Sequence, residues 1–152
     1  QFDIVDRNFI EMFGGSGSVG LEAISRGAKK AWFIERDRDS FRTLRANCEA
    51  IDPNRCDARH GDAFETLPQI LGELKRAEEK TYLYIDPPFS IREGEGDIYK
   101  RVVETVAGID PDLIIYIIVE HMTKEPMPKN IGPFKKVKER KFGKSSLSYY
   151  EA

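Results

Sequence analysis

The sequence is poor in the residues that define several protein classes. It has two cysteines in 152 residues, Cys48 and Cys56, and two histidines, His60 and His121. Two thiols do not make the framework of a disulfide-dense secreted domain. With no CxxC pair, a zinc ligand set is not assembled at any usual spacing. Two free thiols and no metal are therefore expected. Long hydrophobic runs are missing as well. The longest, Leu113 to Val119, falls far short of the roughly 20 residues that span a bilayer, and it reads as a buried strand. Asp3 and Asp6 interrupt any early apolar stretch, so no signal peptide is visible and no membrane partner is expected. Positive charge is scarce over most of the chain. Residues 1 to 120 carry 16 basic and 23 acidic side chains, whereas residues 121 to 152 carry eight and three. A local positive field attracts phosphate even when the whole chain has a net charge of −2. A solvated lysine-rich face explains the tail's charge equally well.

What is present is alternation. The length suits one domain, residues 1–152. Asn8 to Met12 reads as a strand, Ser18 to Arg26 as a helix closed by Gly27, Ala31 to Glu35 as a strand and Asp37 to Ala50 as a helix. Cys56 to His60 is a weak strand. Asp62 to Glu79 is mainly helical, with Pro68 disturbing or restarting its first turns. Thr81 to Ile85, Asp97 to Val106 and Leu113 to Val119 follow as strand, helix and buried strand. Phe134 to Arg140 and Ser146 to Tyr150 flank Gly143 as a hairpin. The pattern predicts an α/β fold: a single doubly wound, mostly parallel seven-stranded sheet with helices on both faces and a C-terminal antiparallel hairpin. Ligands of such sheets sit beyond the carboxyl ends of the strands. The glycine turn, Glu35, Asp62 and Asp86 all fall there.

Gly15-Ser16-Gly17-Ser18-Val19-Gly20 satisfies G-x-G-x-x-G, a motif shared by several nucleotide-binding classes. Gly14, Gly15 and Gly17 leave room for a sharp turn or a closely approaching ligand. The helix after them offers free amides to a negative group. That group is a methionine carboxylate if the ligand is S-adenosyl-L-methionine and a pyrophosphate if it is NAD. Glu35, twenty residues after Gly15, has two oxygens for the hydroxyls of a ribose, or it caps its strand and meets Arg36 or Arg38. Asp62 is placed to accept from an adenine amine, with the Ala63 amide donating to a ring nitrogen, or to cap the helix it precedes. Arg36 can lie over a ring face. A P-loop is a poorer match, because no lysine and hydroxyl pair follows the glycines.

Asp86-Pro87-Pro88-Phe89 follows the strand Tyr82-Leu83-Tyr84-Ile85. Asp86 and the Pro87 carbonyl supply two acceptors for the hydrogens of an –NH2 group. The paired prolines stiffen the turn, and Phe89 can stack on a planar base. An aromatic amine is a weak nucleophile because its lone pair is delocalised. Two fixed acceptors favour a pyramidal nitrogen aimed at a methyl donor, so direct in-line transfer needs no covalent enzyme intermediate. A nicotinamide enzyme gives no comparable role to these four residues.

With these motifs the sequence resembles the bacterial 16S ribosomal RNA guanine-N2 methyltransferases. Phe13-Gly14-Gly15-Ser16-Gly17 with Gly20 to Ala28 resembles the family's cofactor loop and helix. Phe33-Ile34-Glu35-Arg36-Asp37 is similar to its acidic second strand, and Asn47 stands where the family often has asparagine. Asp86-Pro87-Pro88-Phe89 matches its amino-methyltransferase signature, while Ile115 to Glu120 and Lys141-Phe142-Gly143 resemble its late strand and hairpin. The resemblance implies transfer of a methyl group from S-adenosyl-L-methionine to a guanine N2 amine of 16S ribosomal RNA, in a small-subunit ribosomal particle. It places Glu11, Phe13, Gly14, Gly15, Ser16, Gly17, Glu35 and Arg36 at the cofactor, and the reading of the residues above adds Asp62 and Ala63. It assigns Asp86, Pro87, Pro88 and Phe89 to catalysis. Glu11 departs from the family's aspartate, and the family's upstream basic region is not recognisable. Lys141 and Lys144 are expected RNA contacts, and a cytoplasmic monomer is expected. Competing readings are an adenine-N6 or other amino-methyltransferase, an RNA-binding assembly factor without turnover, and, remotely, an NAD-dependent oxidoreductase.

Overall fold

The computed structural model describes residues 3–88 and 97–152. Its strands are β1 (Asn8–Glu11), β2 (Lys30–Glu35), β3 (Cys56–His60), β4 (Thr81–Ile85), β5 (Ile114–Met122), β6 (Asn130–Ile131), β7 (Phe134–Phe142) and β8 (Ser145–Glu151). The helices are α1 (Ser18–Ser25), α2 (Arg38–Ile51), α3 (Ala63–Ala77) and α4 (Ile98–Ala107), and a short 3-10 helix covers Pro111–Leu113. The strands form one sheet in the order β3-β2-β1-β4-β5-β8-β7-β6. The pairs among β1 to β5 are parallel, and β8, β7 and β6 add an antiparallel edge. The chain winds outward from β1 through β2 to β3, then returns to lay β4 against the other side of β1. That reversal opens a crevice at the carboxyl ends of β1 and β4, where doubly wound folds take their ligands.

The α/β architecture and its C-terminal hairpin are as expected, with an eighth strand added to the seven anticipated. The addition is β6, two residues among Pro126, Pro128 and Pro133, too short to have a period. It pairs with β7 through a two-residue turn, Gly132-Pro133. Strand β5 runs three residues past its apolar stretch. Glu120, His121 and Met122 continue it because each pairs with β8. The His121 imidazole is structural: Nδ1 donates to the carbonyls of Met122 and Glu125, at 2.9 and 3.0 Å, and Nε2 meets the Ser148 hydroxyl at 2.8 Å. Pro68 does not interrupt α3. It lies on the exposed side, while Leu67, Ile70, Leu71 and Leu74 bury the opposite stripe. Burial of each such side chain is worth about 1.5–3 kcal/mol, comparable to the cost of a helical proline.

Strand alternation sorts the interior into two layers. Ile10, Met12, Trp32, Ile34, Leu83, Ile85, Ile117 and Val119 pack with the buried stripes of α3 and α4. Phe9, Phe33, Tyr82, Tyr84 and Ile118 belong to the second layer, with Leu21 and Ile24 of α1 and Leu44 of α2. Glu11, Glu35, Asp86 and Glu120 continue the parity of Phe9, Phe33, Tyr84 and Ile118. One face of the sheet therefore gathers four carboxyl groups at the crevice end. Cys48 and Cys56 are free thiols, and burial pushes the Cys48 thiol up to about 12. Among the described residues no helix is long and apolar enough to cross a membrane, and no group of three or more His, Cys, Asp or Glu is arranged around a metal-sized space.

Gly20 fixes how closely α1 approaches β2. A Cβ there would lie 2.3 Å from Phe33 Cε2 and 2.8 Å from Cζ, and Phe33 is fully buried. The ring has nowhere to retreat. Gly20→Ala is expected to cost about 2–3 kcal/mol through overpacking and to lower Tm by roughly 5–10 °C. An unchanged melting curve would show that the helix can lift at no cost.

Candidate functional site

The glycine turn between β1 and α1 is held from every side. Gly14 N–H donates to the Ile34 carbonyl at 2.7 Å, and Gly17 N–H to the Gly14 carbonyl at 2.8 Å. Gly15 and Gly17 have φ of +55° and +86°, a region that favours glycine. A Cβ on Gly15 would meet no atom within 4 Å, so this position faces open space. Asn47 on α2 donates to the Ser16 carbonyl at 3.0 Å. Phe13 sets its ring edgewise on Phe64, with centroids 5.7 Å apart. Helix α1 then begins at Gly17 with no side-chain cap and no acidic residue in its first turn. Helices α2 and α3 differ: α2 is capped by Asp37, which accepts from Ser40 N–H at 2.9 Å, and α3 by Asp62, whereas α4 like α1 has no side-chain cap. The positive end of α1 is thus uncapped beside the open glycine.

Glu35 ends β2 against this turn. Its Oε1 accepts from Gly15 N–H and its Oε2 from Asp37 N–H, each at 2.8 Å. Both bonds fix the carboxylate, and each oxygen keeps a further lone pair for a hydroxyl. Asp62 does act as a helix cap, with one oxygen accepting from the amides of Phe64 and Glu65 at 2.9 and 3.0 Å. Ala63 is buried at the first position of α3. The Arg36 side chain is exposed, and its carbonyl accepts from His60 Nε2 at 2.9 Å, with Phe41 stacked on the imidazole. The uncapped end of α1, Glu35, and the capped start of α3 thus stand along one edge, at the ends of β1, β2 and β3.

Asp86 lies just past β4, half-buried, with Pro87 buried and Pro88 exposed. Phe89 lies outside the described residues. Burial pushes the Asp86 carboxyl up to about 6, and the charge of Glu120 adds to the effect. Glu11 sits one strand away at the end of β1, 4% exposed, its Oε1 accepting from Gly20 N–H at 2.8 Å. Burial drives its pKa to about 8; the Gly20 amide opposes this, and the charges of Asp86 and Glu35 reinforce it. The longer side chain of Glu11 is accommodated, since it reaches α1 and anchors the helix that follows the turn.

Two contacts escaped the sequence reading. Tyr84 donates its hydroxyl to Glu120 Oε1 at 2.5 Å, bridging β4 and β5 beside Asp86. The signal was a lone acid after the apolar Leu113 to Val119 run, and it becomes interpretable only with the β4–β5 register. Asn47 was noted by position alone; its bond to Ser16 supplies the reason. A separate cleft of about 270 Å³ opens near Arg7, Asn8 and Glu79. It lies at the amino ends of the strands, away from all of these groups.

Strand order, switch point and glycine turn define a doubly wound α/β protein with a carboxyl-lined crevice. The chain belongs to the family described as "Conserved hypothetical protein 95", whose model matches residues 1–151. It is similar to YlbH of Bacillus subtilis, named as a candidate rRNA methyltransferase, with 22% identity over 143 residues, 93% of this chain and 74% of that one. It is also similar to ribosomal RNA small subunit methyltransferase D of Haemophilus influenzae, with 27% identity over 124 residues, 80% of this chain and 61% of the relative. This chain thus spans about three fifths of that protein's length. An RNA methyltransferase from Salinibacter ruber, solved with S-adenosyl-L-homocysteine, shares the fold with a TM-score of 0.66 at 12% identity, over 97% of this chain and 82% of that one.

Proposed function

We propose that the chain is an S-adenosyl-L-methionine-dependent methyltransferase that modifies the exocyclic N2 amine of a guanine in 16S ribosomal RNA, within a small-subunit particle. The observation that carries this reading is the rigid Asp86-Pro87 turn on the same sheet face as the glycine turn, one strand from it. The names of the Bacillus and Haemophilus relatives support an RNA substrate, and the S-adenosyl-L-homocysteine bound to the Salinibacter protein supports the cofactor. The residues present suit that cofactor. The uncapped α1 amides and open Gly15 take its carboxylate end, with Phe13, Gly14, Ser16 and Gly17 shaping the turn and Glu11 tying it to α1. Glu35 takes the ribose hydroxyls, and Asp62, Ala63 and Arg36 border the adenine. The cofactor supplies an electrophilic methyl group on a sulfonium.

Asp86 and the Pro87 carbonyl hold the two hydrogens of the substrate amine, which localises the nitrogen lone pair. Asp86 stabilises positive charge developing on nitrogen without removing a proton beforehand, and the proton leaves after transfer. Pro88 stiffens the turn, and Phe89 is assigned to stacking on the base. Tyr84 fixes Glu120 beside Asp86, keeping a second negative charge near the forming cation.

Asp86 acts as a carboxylate, so transfer falls as pH drops through about 6. Glu120 raises the Asp86 pKa, so Glu120→Gln is expected to move this acidic limb to lower pH. An unmoved limb in single-turnover pH profiles would remove Glu120 from the site's electrostatics. The whole reading is tested by incubating the chain with adenosylmethionine and small ribosomal particles lacking the modification, followed by nucleoside mass spectrometry. N2-methylguanosine is expected. N6-methyladenosine would reassign the substrate, and binding of NAD in preference to adenosylmethionine would refute the class.

A further inference from the structure

The excess of positive over negative charge in this chain is concentrated on the last hairpin, and one irregularity in β7 decides which face carries it. Simple alternation from Phe134 would keep Lys136, Lys138, Arg140 and Phe142 on a single side. The register instead shifts between Lys136 and Lys138: Lys136 stands opposite Tyr150 and Lys138 opposite Tyr149, leaving Val137 as the extra residue of a β-bulge. Beyond it Lys138, Arg140 and Phe142 share the side of Tyr149, Leu147 and Ser145, while Glu139 and Lys141 turn to the side of Ser148 and Ser146. The Lys138 Nζ lies 5.6 Å from the Tyr149 ring centre, and the Arg140 guanidinium 5.5 Å from that of Phe142. Lys138 and Arg140 are exposed, and among the described residues neither is ion-paired. Lys136, on the other side, is occupied by the Met127 carbonyl and Glu139.

The bulge turns these two cations toward the crevice face. Glu120 pairs with Leu147 and Leu147 with Arg140, so one row crosses β5, β8 and β7. Asp86 stands one strand beyond Glu120. Three strand spacings put Arg140 roughly 14 Å from Asp86. The crevice itself is acidic, with Glu35, Asp86 and Glu120 at its rim, and it repels a phosphate backbone. A neutral base can enter it; the strand that carries the base has to run elsewhere.

We propose that the Lys138–Arg140–Phe142 side of the hairpin is the docking surface for the RNA phosphodiester backbone flanking the base held at Asp86. This deepens the function proposed above and rests on it. Lys138 and Arg140, each held over an aromatic ring of the hairpin, neutralise phosphates, and Phe142, 55% exposed, offers its ring to an unstacked base. Lys141 points to the opposite side and is not part of this surface. Charge patterning thus separates two tasks: the acid pole handles the base and the basic pole handles its backbone.

The test uses the full chain, a fluorescein-labelled RNA stem–loop and the small ribosomal particle. K138E/R140E is expected to weaken binding of the stem–loop at least about tenfold in anisotropy titrations, and to flatten the dependence of log affinity on log salt by about 1.5, the loss of two phosphate contacts. K138Q/R140Q weakens binding in the same direction with Tm unchanged, which keeps the test valid if charge reversal disturbs the fold. K141E stays within about threefold of the parent, and calorimetric adenosylmethionine affinity is unchanged in all three. Parental RNA affinity and salt slope in K138E/R140E overturn the proposal, as does an equal loss in K141E or equally effective competition by polyglutamate. A parent chain that binds no RNA also overturns it. A parent that binds RNA through the hairpin yet transfers no methyl group to the particle refutes the proposed chemistry alone.

Discussion

Replacing Asp86 with alanine is expected to lower single-turnover methyl transfer by about 10²–10³-fold while leaving adenosylmethionine affinity within about twofold of the parent. The magnitude is that of removing one preorganised polar group aimed at developing charge. The separation follows from position. The glycine turn and Glu35 lie on the β1–β2 side of the crevice, whereas Asp86 lies beyond β4, on the side assigned to the amine. Loss of fold does not confuse the result, because Asp86 is half-buried with a carboxyl raised by burial and by Glu120, and removing it relieves both costs. Asp86→Asn retains an acceptor oxygen without the charge and should fall between the two. Equal rates for Asp86→Ala and the parent would end the role assigned to this residue.

The second large effect concerns stability. Glu11 is held near pKa 8 in the fold, against 4.5 for an exposed glutamate. A raised carboxyl means that the folded chain binds the proton more tightly than the unfolded one. Its contribution is therefore complete below about pH 4.5 and is lost as pH rises through about 8. The shift corresponds to on the order of 5 kcal/mol, or on the order of 10 °C in Tm. Asp86 adds a smaller change of the same sign between about 4 and 6. Glu11→Gln keeps an oxygen for the Gly20 amide and never ionises. It should match the parent near pH 5 and melt on the order of 10 °C higher near pH 9. Parallel Tm-against-pH curves for the two proteins would show that Glu11 does not titrate between the folded and unfolded states.

Much of the fold was legible because local rules and tertiary structure agree here. Apolar strands alternate with amphipathic helices, Gly27 ends α1, and Asp37 and Asp62 begin α2 and α3 as short acids do. Where the reading fell short, the cause was pairing at a distance. Residues 120–122 look like the end of a strand until β8 is laid beside them, and Asn130–Ile131 has no pattern of its own until β7 supplies one. Pro68 shows the opposite conflict: a local breaker is overruled by the stripe buried beneath it.

The site divides in the same way. By itself the sequence determined the chemistry available: a flexible glycine turn, an acid at the end of each of several strands, and an acid followed directly by two prolines. Those properties belong to single residues and their neighbours. Only the tertiary structure decided which acids meet, because strand parity and the β1–β4 switch place Glu11, Glu35, Asp86 and Glu120 on one face. It also decided that Tyr84 ties Glu120 beside Asp86 and that Val137 rotates Lys138 and Arg140 toward them. A side chain's face is set by the count of residues since the last paired position, and one unpaired residue reverses it, which no local preference records.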